Sequence, residues 1–183
     1  MKTCDVIVVG AGIIGLCTAW QLARRSDLRI AVLDKGAGIG EGSTGASSAV
    51  CRHRYSLDDM VHLARDGIDA YRNWSAFTGL TGPRAAFHAH GVLWLPGEDR
   101  EWAPAQHARM EALGVRSAVL DDRELQERFP VFSTCTRAPD LVSGEEHPCS
   151  GGGRHFLELD GGYMDPVDCA ADLVDACRGR GVE

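Results

Sequence analysis

Short apolar runs and an amphipathic stretch alternate over the first part of the chain. Residues 3–9 form a β-branched run that is apolar enough for a strand buried on both faces. Residues 13–25 have helical character and end near Ser26, and residues 29–34 form a second apolar strand. The pattern predicts a strand, a helix and a strand within about 35 residues, which is the size of a βαβ unit.

The rest of the chain has a weaker pattern. Residues 35–55 are rich in glycine and serine, which is typical of a loop. The later predicted elements, in chain order, are a helix after Ser56 (Ser56-x-x-Asp59 has the form of a capping box), one or two strands in 84–95, a helix over 99–113, a short helix over 121–128 stopped by Phe129-Pro130, a strand over 154–159, and a helix opened by Asp165-Pro166. The buried face predicted for the last helix is Val167, Ala170, Ala171, Val174 and Cys177.

Composition and charge narrow the class of protein. The chain has 183 residues, enough for one domain or one domain plus part of another, and its composition is 44% hydrophobic and 25% charged, as in a globular protein. A net charge of −7 without a basic stripe argues against a nucleic-acid partner and an anionic membrane. The apolar stretch 6–19 is too short and too rich in glycine for a membrane span. The seven scattered cysteines, without a C-x-x-C pair, favour reduced thiols and a cytoplasmic location.

The most informative motif is Gly10-Ala11-Gly12-Ile13-Ile14-Gly15, which follows a predicted buried strand and opens a helix. Gly10 permits the tight turn, Gly12 lets the backbone approach a pyrophosphate, and Gly15 permits close helix–strand packing. Asp34, at the end of the second strand, can accept hydrogen bonds from ribose hydroxyls, and an acid there disfavours the 2′-phosphate of NADP. This motif alone leaves NAD and FAD open.

The segment after the second strand separates these cofactors. Residues 40–54 place small hydroxylic residues where hydroxyls and backbone N–H groups can bind diphosphate oxygens. The segment resembles the FAD-dependent oxidoreductases of the D-amino-acid oxidase, glycine oxidase, sarcosine oxidase and dimethylglycine dehydrogenase family. In that family a G-[ST]-[ST]-G-x-S-like loop lies along the pyrophosphate and the flavin. The residues that match this loop are Gly42, Ser43, Thr44, Gly45, Ser47 and Ser48.

The resemblance continues in order through the helix after residue 56, the HGVLWL strand and the final G-x-x-D-P helix. It implies an α/β fold, in which a Rossmann-like FAD-binding domain is joined to the beginning of an incomplete mixed-sheet substrate domain. The expected boundaries are 1–83 for the FAD-binding region, 84–160 for part of the substrate domain, and 161–183 for a return to the FAD-binding domain. Members of the family are about twice as long, so the chain is expected to be an N-terminal half.

The implied function is FAD-dependent oxidation of a C–N bond in a small amine or amino acid. An alternative is a non-catalytic dinucleotide-binding fragment, or a subunit that needs a complementary chain. A third is the cofactor domain of an NAD-dependent dehydrogenase, which leaves the 42–48 loop unexplained. FAD is expected to be non-covalent, because relatives with a histidine-linked flavin carry that histidine where this chain aligns Ala46.

The predicted cofactor-binding residues comprise the glycine motif, the acid with its neighbour, the small-residue loop and one arginine. They are Gly10, Ala11, Gly12, Ile13, Ile14, Gly15, Asp34, Lys35, Gly42, Ser43, Thr44, Gly45, Ser47, Ser48 and Arg52. A cation at Arg52, and less strongly at His53, would favour a substrate carboxylate or an anionic reduced flavin. No residue is predicted as a general base, and no metal site is predicted because His88 and His90 lack a third ligand at a suitable spacing.

Overall fold

The structure, a computed structural model, describes residues 3–96, 99–135, 142–144 and 151–183. Cys149 lies outside these residues. The elements in chain order are β1 (Val6–Val9), α1 (Ile13–Ala23), β2 (Ile30–Leu33), β3 (Val50–Cys51), α2 (Asp58–Arg72), α3 (Trp74–Thr78), β4 (Val92–Trp94), α4 (Trp102–Ala112), β5 (Ser117–Asp121), α5 (Asp122–Arg128), β6 (Arg154–Glu158), β7 (Gly162–Tyr163) and α6 (Pro166–Gly179).

The chain divides into two compact units. Unit 1 holds the described residues of Met1–Cys51, Asp66–His88 and Tyr163–Glu183, and unit 2 holds those of Arg52–Arg65 and Ala89–Gly162.

A parallel sheet with helices on one face organises unit 1. In β1 and β2 the register pairs Val6 with Ile30 and Val9 with Leu33. Glu183 extends this sheet, because its N–H donates to the Ile30 carbonyl at 3.0 Å and its carbonyl accepts from the Val32 N–H at 2.7 Å. Helices α1 and α6 form the core below the sheet through buried Leu16, Trp20, Ala170, Leu173 and Cys177.

The opposite face of the same two strands is apolar and exposed. Side chains alternate along a strand, so Val6 and Val8 pack against the core while Ile7 and Val9 point away from it. Val9 is 84% exposed, Ile7 55% and Leu33 54%. Parallel strands are normally covered on both faces, so this surface is unusual for its fold class.

A buried carboxylate ties α6 to the segment after α3 in unit 1. Asp172 is fully buried and accepts hydrogen bonds from the Trp74 indole at 2.9 Å and from the backbone N–H groups of Arg84 and Ala85 at 2.9 and 3.0 Å. Burial raises the pKa of Asp172, but the bonds from Arg84, Ala85 and Trp74 more than offset this, so its pKa lies below the ordinary value. The carboxylate therefore stays charged at neutral pH.

Unit 2 is built on an antiparallel sheet in the order β4-β6-β5. Phe156 pairs with Trp94 on one side and with Val119 on the other. Helix α4 covers this sheet through buried Ala103 and Met110. A capping box starts α5: the Asp121 carboxylate accepts from the Glu124 N–H at 2.8 Å and the Glu124 carboxylate accepts from the Asp121 N–H at 2.9 Å.

The predicted α/β class with a partial second sheet is confirmed, and the strand at 154–159 and the Asp165-Pro166 helix start are observed. The pattern missed α3 and β5. The buried face of α6 was predicted in part wrongly: Val167 is 42% exposed, while Cys169, Asp172 and Ala176 are buried. The domain boundaries at 83 and 160 stay a prediction.

Candidate functional site

The turn between β1 and α1 requires glycine at its first and last positions. Gly10 has φ +104°, a conformation that disfavours residues with a Cβ atom. A Cβ on Gly15 would lie 1.9 Å from the Gly10 carbonyl oxygen, so α1 can start this close to the turn only with glycine there. The exposed N-terminus of α1 follows at Ile13, where backbone N–H groups and the helix dipole favour an anion.

The small-residue loop docks on this helix N-terminus. Gly12 is the N-cap of α1 and has no side chain to cap it. Thr44 supplies the missing acceptor, because its hydroxyl accepts a hydrogen bond from the Ile13 N–H at 3.0 Å. The fit is tight: a Cβ on Gly12 would lie 2.9 Å from the Thr44 Oγ1.

The loop also repeats the geometry of the first glycine turn, which the sequence interpretation missed. Gly40-Glu41-Gly42-Ser43-Thr44-Gly45 has the same G-x-G-x-x-G spacing. Gly40 has φ +80°, and a Cβ on Gly45 would lie 2.0 Å from the Gly40 carbonyl oxygen. The Ala46 N–H donates to the Gly42 carbonyl at 3.3 Å, as the Leu16 N–H donates to Gly12 at 3.0 Å. The repeated spacing was the signal available in the sequence.

Asp34 connects the end of β2 to the glycine turn. One carboxylate oxygen accepts from the Ala11 N–H at 2.6 Å and the other from the Gly36 N–H at 2.7 Å. These bonds, that from Ala11 first, hold the pKa of Asp34 below its ordinary value. A carboxylate has about four acceptor positions, so Asp34 can still accept bonds from a ligand.

A cavity of about 850 Å³ brings most of the predicted residues of unit 1 together. The predicted residues that line it are Gly10, Ala11, Gly12, Ile13, Ile14, Gly15, Asp34, Lys35, Gly42, Ser43 and Thr44. Residues that line it without having been predicted include Thr18, Gly36, Gly38, Gly40 and Glu41. The Glu41 carboxylate accepts from the Ala37 N–H at 3.1 Å and so helps to shape the cavity wall.

Three predicted loop residues do not line this cavity. Gly45 packs against Gly40, as described above. The Ser47 hydroxyl accepts from the N–H of Ala49, whose φ of +53° is uncommon for a residue other than glycine. Ser48 is exposed.

Arg52 belongs to unit 2 and lies in an arginine–aromatic cluster, defined as Arg52, Arg54, Tyr55, Trp94 and Trp102. The Arg52 guanidinium lies 5.1 Å from the Tyr55 ring centroid and 5.2 Å from that of Trp94. The Arg54 guanidinium lies 4.9 Å from Trp94 and 4.8 Å from Trp102. Both cations are therefore held over aromatic faces.

The thiols of unit 1 are not activated. Burial raises the pKa of Cys17 and Cys177 to about 11 and that of Cys169 to about 12, and it also raises the pKa of Cys51. Thiols of this kind stay protonated at neutral pH and act as small apolar groups. Within the residues that the structure describes, no group of three or more His, Cys, Asp or Glu side chains is arranged to bind a metal ion.

The cavity fits the adenosine diphosphate part of a dinucleotide. Its volume is within the usual range of cofactor pockets, and its wall is mostly backbone. A Cβ on Gly42 would meet no atom within 4 Å, so this glycine leaves space open to a ligand.

A glycine turn between a parallel strand and a helix, with an acid at the end of the next strand, defines a dinucleotide-binding α/β protein. The family follows from the whole chain. The protein belongs to the DAO (FAD dependent oxidoreductase) family, whose profile matches residues 5–183. Membership implies FAD as the cofactor.

Two curated relatives illustrate the match. The chain is 24% identical over 185 residues to sarcosine oxidase subunit beta of Rhodobacter capsulatus, covering 100% of this chain and 41% of that protein. It is 25% identical over 138 residues to FAD-dependent oxidoreductase domain-containing protein 1 of Bos taurus, covering 71% of this chain and 28% of the relative. The chain thus spans less than half the length of these relatives.

Solved structures share the fold. L-proline dehydrogenase from P. horikoshii matches with a TM-score of 0.79 at 20% identity, over 100% of this chain and 43% of that chain. Glycine oxidase from Bacillus cereus matches with a TM-score of 0.77 at 17% identity, over 99% of this chain and 45% of that chain. None of the helices in the described part of the chain is long and apolar enough to cross a membrane.

Proposed function

We propose that this chain is the FAD-binding part of a flavoenzyme that oxidises a C–N bond in a small amine or amino acid. The observation that supports the proposal best is the pair of glycine turns at Gly10–Gly15 and Gly40–Gly45, which meet at the N-terminus of α1 beside Asp34. An ordinary flexible linker would not contact the N-terminus of a helix in this way.

Each part of the cavity has a role in holding FAD. The glycine backbone and the N-terminus of α1 bind the pyrophosphate, whose negative charge the helix dipole stabilises. Asp34 accepts hydrogen bonds from the ribose hydroxyls, and Lys35 contributes a positive charge at the same edge. Ser43 and Thr44 supply hydroxyls to phosphate oxygens, and Ser47 and Ser48 continue this polar loop along the cofactor.

When bound, the isoalloxazine ring of FAD accepts a hydride equivalent from the substrate amine, and the resulting imine hydrolyses. The cofactor is held without a covalent bond, because Ala46 occupies the loop position at which histidine-linked relatives carry their histidine.

Unit 2 contributes to the substrate domain in this proposal, with the boundaries 1–83, 84–160 and 161–183 for the three regions of the chain. Arg52 binds the carboxylate of an amino-acid substrate, a role that suits a cation held over aromatic rings. The relative named sarcosine oxidase subunit beta is a subunit by its name, which favours a complementary polypeptide as a partner. We propose a cytoplasmic location on the basis of the reduced cysteines.

The first test is FAD retention by Gly12→Ala. The added Cβ would lie 2.9 Å from the Thr44 Oγ1, so it displaces the loop and obstructs backbone approach to the pyrophosphate. We expect the purified variant to lose most of the flavin absorbance near ~450 nm that the unchanged chain shows.

Gly67→Ala is the matched control for this test. Its Cβ meets no atom within 4 Å on helix α2, so FAD content should stay unchanged. An unchanged chain that binds no flavin, or a Gly12→Ala variant with full occupancy, would contradict the proposed FAD site.

The second test concerns Asp34. We expect Asp34→Ala to weaken FAD binding about tenfold, because hydrogen bonds from ribose to a charged acceptor are lost. Asp27→Ala, at an exposed position after α1, removes the same charge and should bind FAD normally. Equal affinities in both variants would place Asp34 outside the ribose site.

Turnover separates the enzyme from the alternative of a non-catalytic dinucleotide-binding fragment or subunit. Because the chain spans 41% of the sarcosine oxidase subunit, we expect no oxidation of sarcosine, glycine or D-amino acids by the FAD-loaded chain alone. Oxidation that appears only with a complementary polypeptide supports the enzyme subunit, and FAD binding without any such polypeptide supports the alternative.

A further inference from the structure

Glu158 is a buried carboxylate in unit 2 that the proposed FAD site does not use. It ends β6 and has no exposed surface. Its Oε2 accepts from the His53 N–H at 2.6 Å, and its Oε1 accepts from the Arg54 N–H at 3.2 Å and from the Trp94 indole at 2.8 Å. The buried charge is therefore stabilised by three donors, two of them on consecutive backbone residues.

These donors all belong to the arginine–aromatic cluster or to the segment that carries it. His53 lies between Arg52 and Arg54, so fixing the backbone at residues 53 and 54 sets the directions of both guanidinium groups. The third donor, Trp94, is the ring that both guanidiniums contact. A single carboxylate thus holds the two cations and the aromatic surface between them in one arrangement.

The two cations of this cluster are available to an anionic ligand. Among the residues that the structure describes, no carboxylate forms an ion pair with Arg52 or Arg54. Arg54 is held in place by donating to the Gln106 side chain at 3.0 Å, and Arg52 is exposed. The Glu158 oxygens face neutral donors in the interior, so they do not occupy the guanidinium groups.

We propose that Glu158 is a positioning residue, which fixes Arg52 and Arg54 so that they bind the carboxylate group of a small ligand. The proposal rests on the proposed function for the class of ligand, an amino acid or a similar carboxylate. Asp172 in unit 1 has the same kind of donors, an indole and two consecutive backbone N–H groups, but it fixes a segment without such a pair of cations over rings.

The sign of the effect distinguishes positioning from simple electrostatics. Glu158→Gln removes a negative charge next to two arginines, so Coulomb interaction alone predicts tighter binding of a carboxylate. The positioning role predicts weaker binding, because one end of the amide presents N–H groups to backbone or indole donors and loses their hydrogen bonds. Glu158→Asp keeps the charge but is one methylene shorter, so it should weaken binding as well.

The experiment uses the full chain loaded with FAD and labelled with ¹⁵N. Acetate is titrated while the Nε–H signals of Arg52 and Arg54 are followed, with neutral acetamide as the reference ligand. Hydrogen exchange is measured at the His53 and Arg54 amides in the same samples. Glu127→Gln, an exposed glutamate of α5 in the same unit, is the matched control.

We expect the unchanged chain and Glu127→Gln to bind acetate more tightly than acetamide. Glu158→Gln and Glu158→Asp should bind acetate about tenfold more weakly and should lose protection at both amides. Acetate binding by Glu158→Gln as tight as or tighter than that of the unchanged chain, retained protection at both amides, or no preference for acetate in the unchanged chain would overturn the proposal.

Failure of the proposed function has a different signature. The flavin absorbance of each sample reports FAD binding by unit 1, while the acetate titration and amide exchange report only on unit 2. An unchanged chain without flavin would therefore contradict the proposed FAD site and leave the result for Glu158 interpretable.

Discussion

At the scale of single residues, the N-terminus of α1 depends on a side chain from another segment. Gly12 at the N-cap has no side chain, and Thr44 provides the acceptor for the Ile13 N–H. The absence of a side chain at Gly12 leaves space for a phosphate, while the threonine satisfies a donor that would otherwise be unpaired. One position thus serves the ligand and the other serves the helix.

Replacing Thr44 by valine tests this division. Valine keeps the shape but has no hydroxyl, so we expect the free energy of unfolding to fall by about 1 kcal/mol, the usual cost of losing an N-cap. Urea denaturation followed by circular dichroism measures the effect, and Thr44→Ser should remain close to the unchanged chain. Equal midpoints for the valine and serine variants would show that the hydroxyl is not the effective cap.

At the scale of elements, β1 and β2 have two apolar faces that differ in their surroundings. Val8 packs against the core of α1 and α6, whereas Val9 on the other face is 84% exposed. Sequence pattern cannot separate these faces, because a strand buried on both sides has the same run of apolar residues. An exposed apolar surface of this kind favours association with another polypeptide or aggregation.

Threonine substitutions on neighbouring residues test the difference between the faces. Val9→Thr should change the free energy of unfolding by less than about 0.5 kcal/mol and reduce the fluorescence of an apolar dye. Val8→Thr should cost about 1–3 kcal/mol, because its hydroxyl is placed against an apolar core. Similar losses of stability in both variants would mean that something covers the outer face in solution.

At the scale of the whole molecule, each unit contains a carboxylate with a depressed pKa. Asp172 serves unit 1. In unit 2 burial raises the pKa of Asp122, but hydrogen bonds from His155 and Gly153 outweigh this and lower it. A carboxyl group whose pKa is lower in the folded state stabilises the fold above its unfolded pKa, and this contribution is lost as the pH falls through the folded pKa. Both units should therefore lose stability in acid.

We expect the free energy of unfolding to vary little between pH 7 and about pH 5, and to fall as the pH drops below about 4. Asp172→Asn should lower stability by about 2 kcal/mol at pH 7 and show a smaller further loss in acid, because its carboxylate no longer titrates. Urea denaturation at pH 7, 5 and 3 measures this, with Asp27→Asn as an exposed control. Parallel pH profiles for Asp172→Asn and the unchanged chain would contradict the assignment.

Several features followed from the sequence because their causes are local. The apolar runs at 3–9 and 29–34 around a glycine turn specified the βαβ unit, and Asp165-Pro166 specified the start of α6. These signals depend on residues a few positions apart, whose backbone preferences act before any tertiary contact forms. The loop motif at 42–48 indicated the family for the same reason.

Other features were decided only by the tertiary structure, because they depend on residues far apart in the chain. Thr44 caps a helix that starts at Ile13, and Glu158 binds the backbone of His53 and Arg54. A glutamate in an apolar strand pattern gives no sign of its donors, since those are chosen by the register of β6 and the course of the chain. Local pattern therefore specified the elements and the glycine turns, while long-range packing determined which polar groups are buried and what they hold in place.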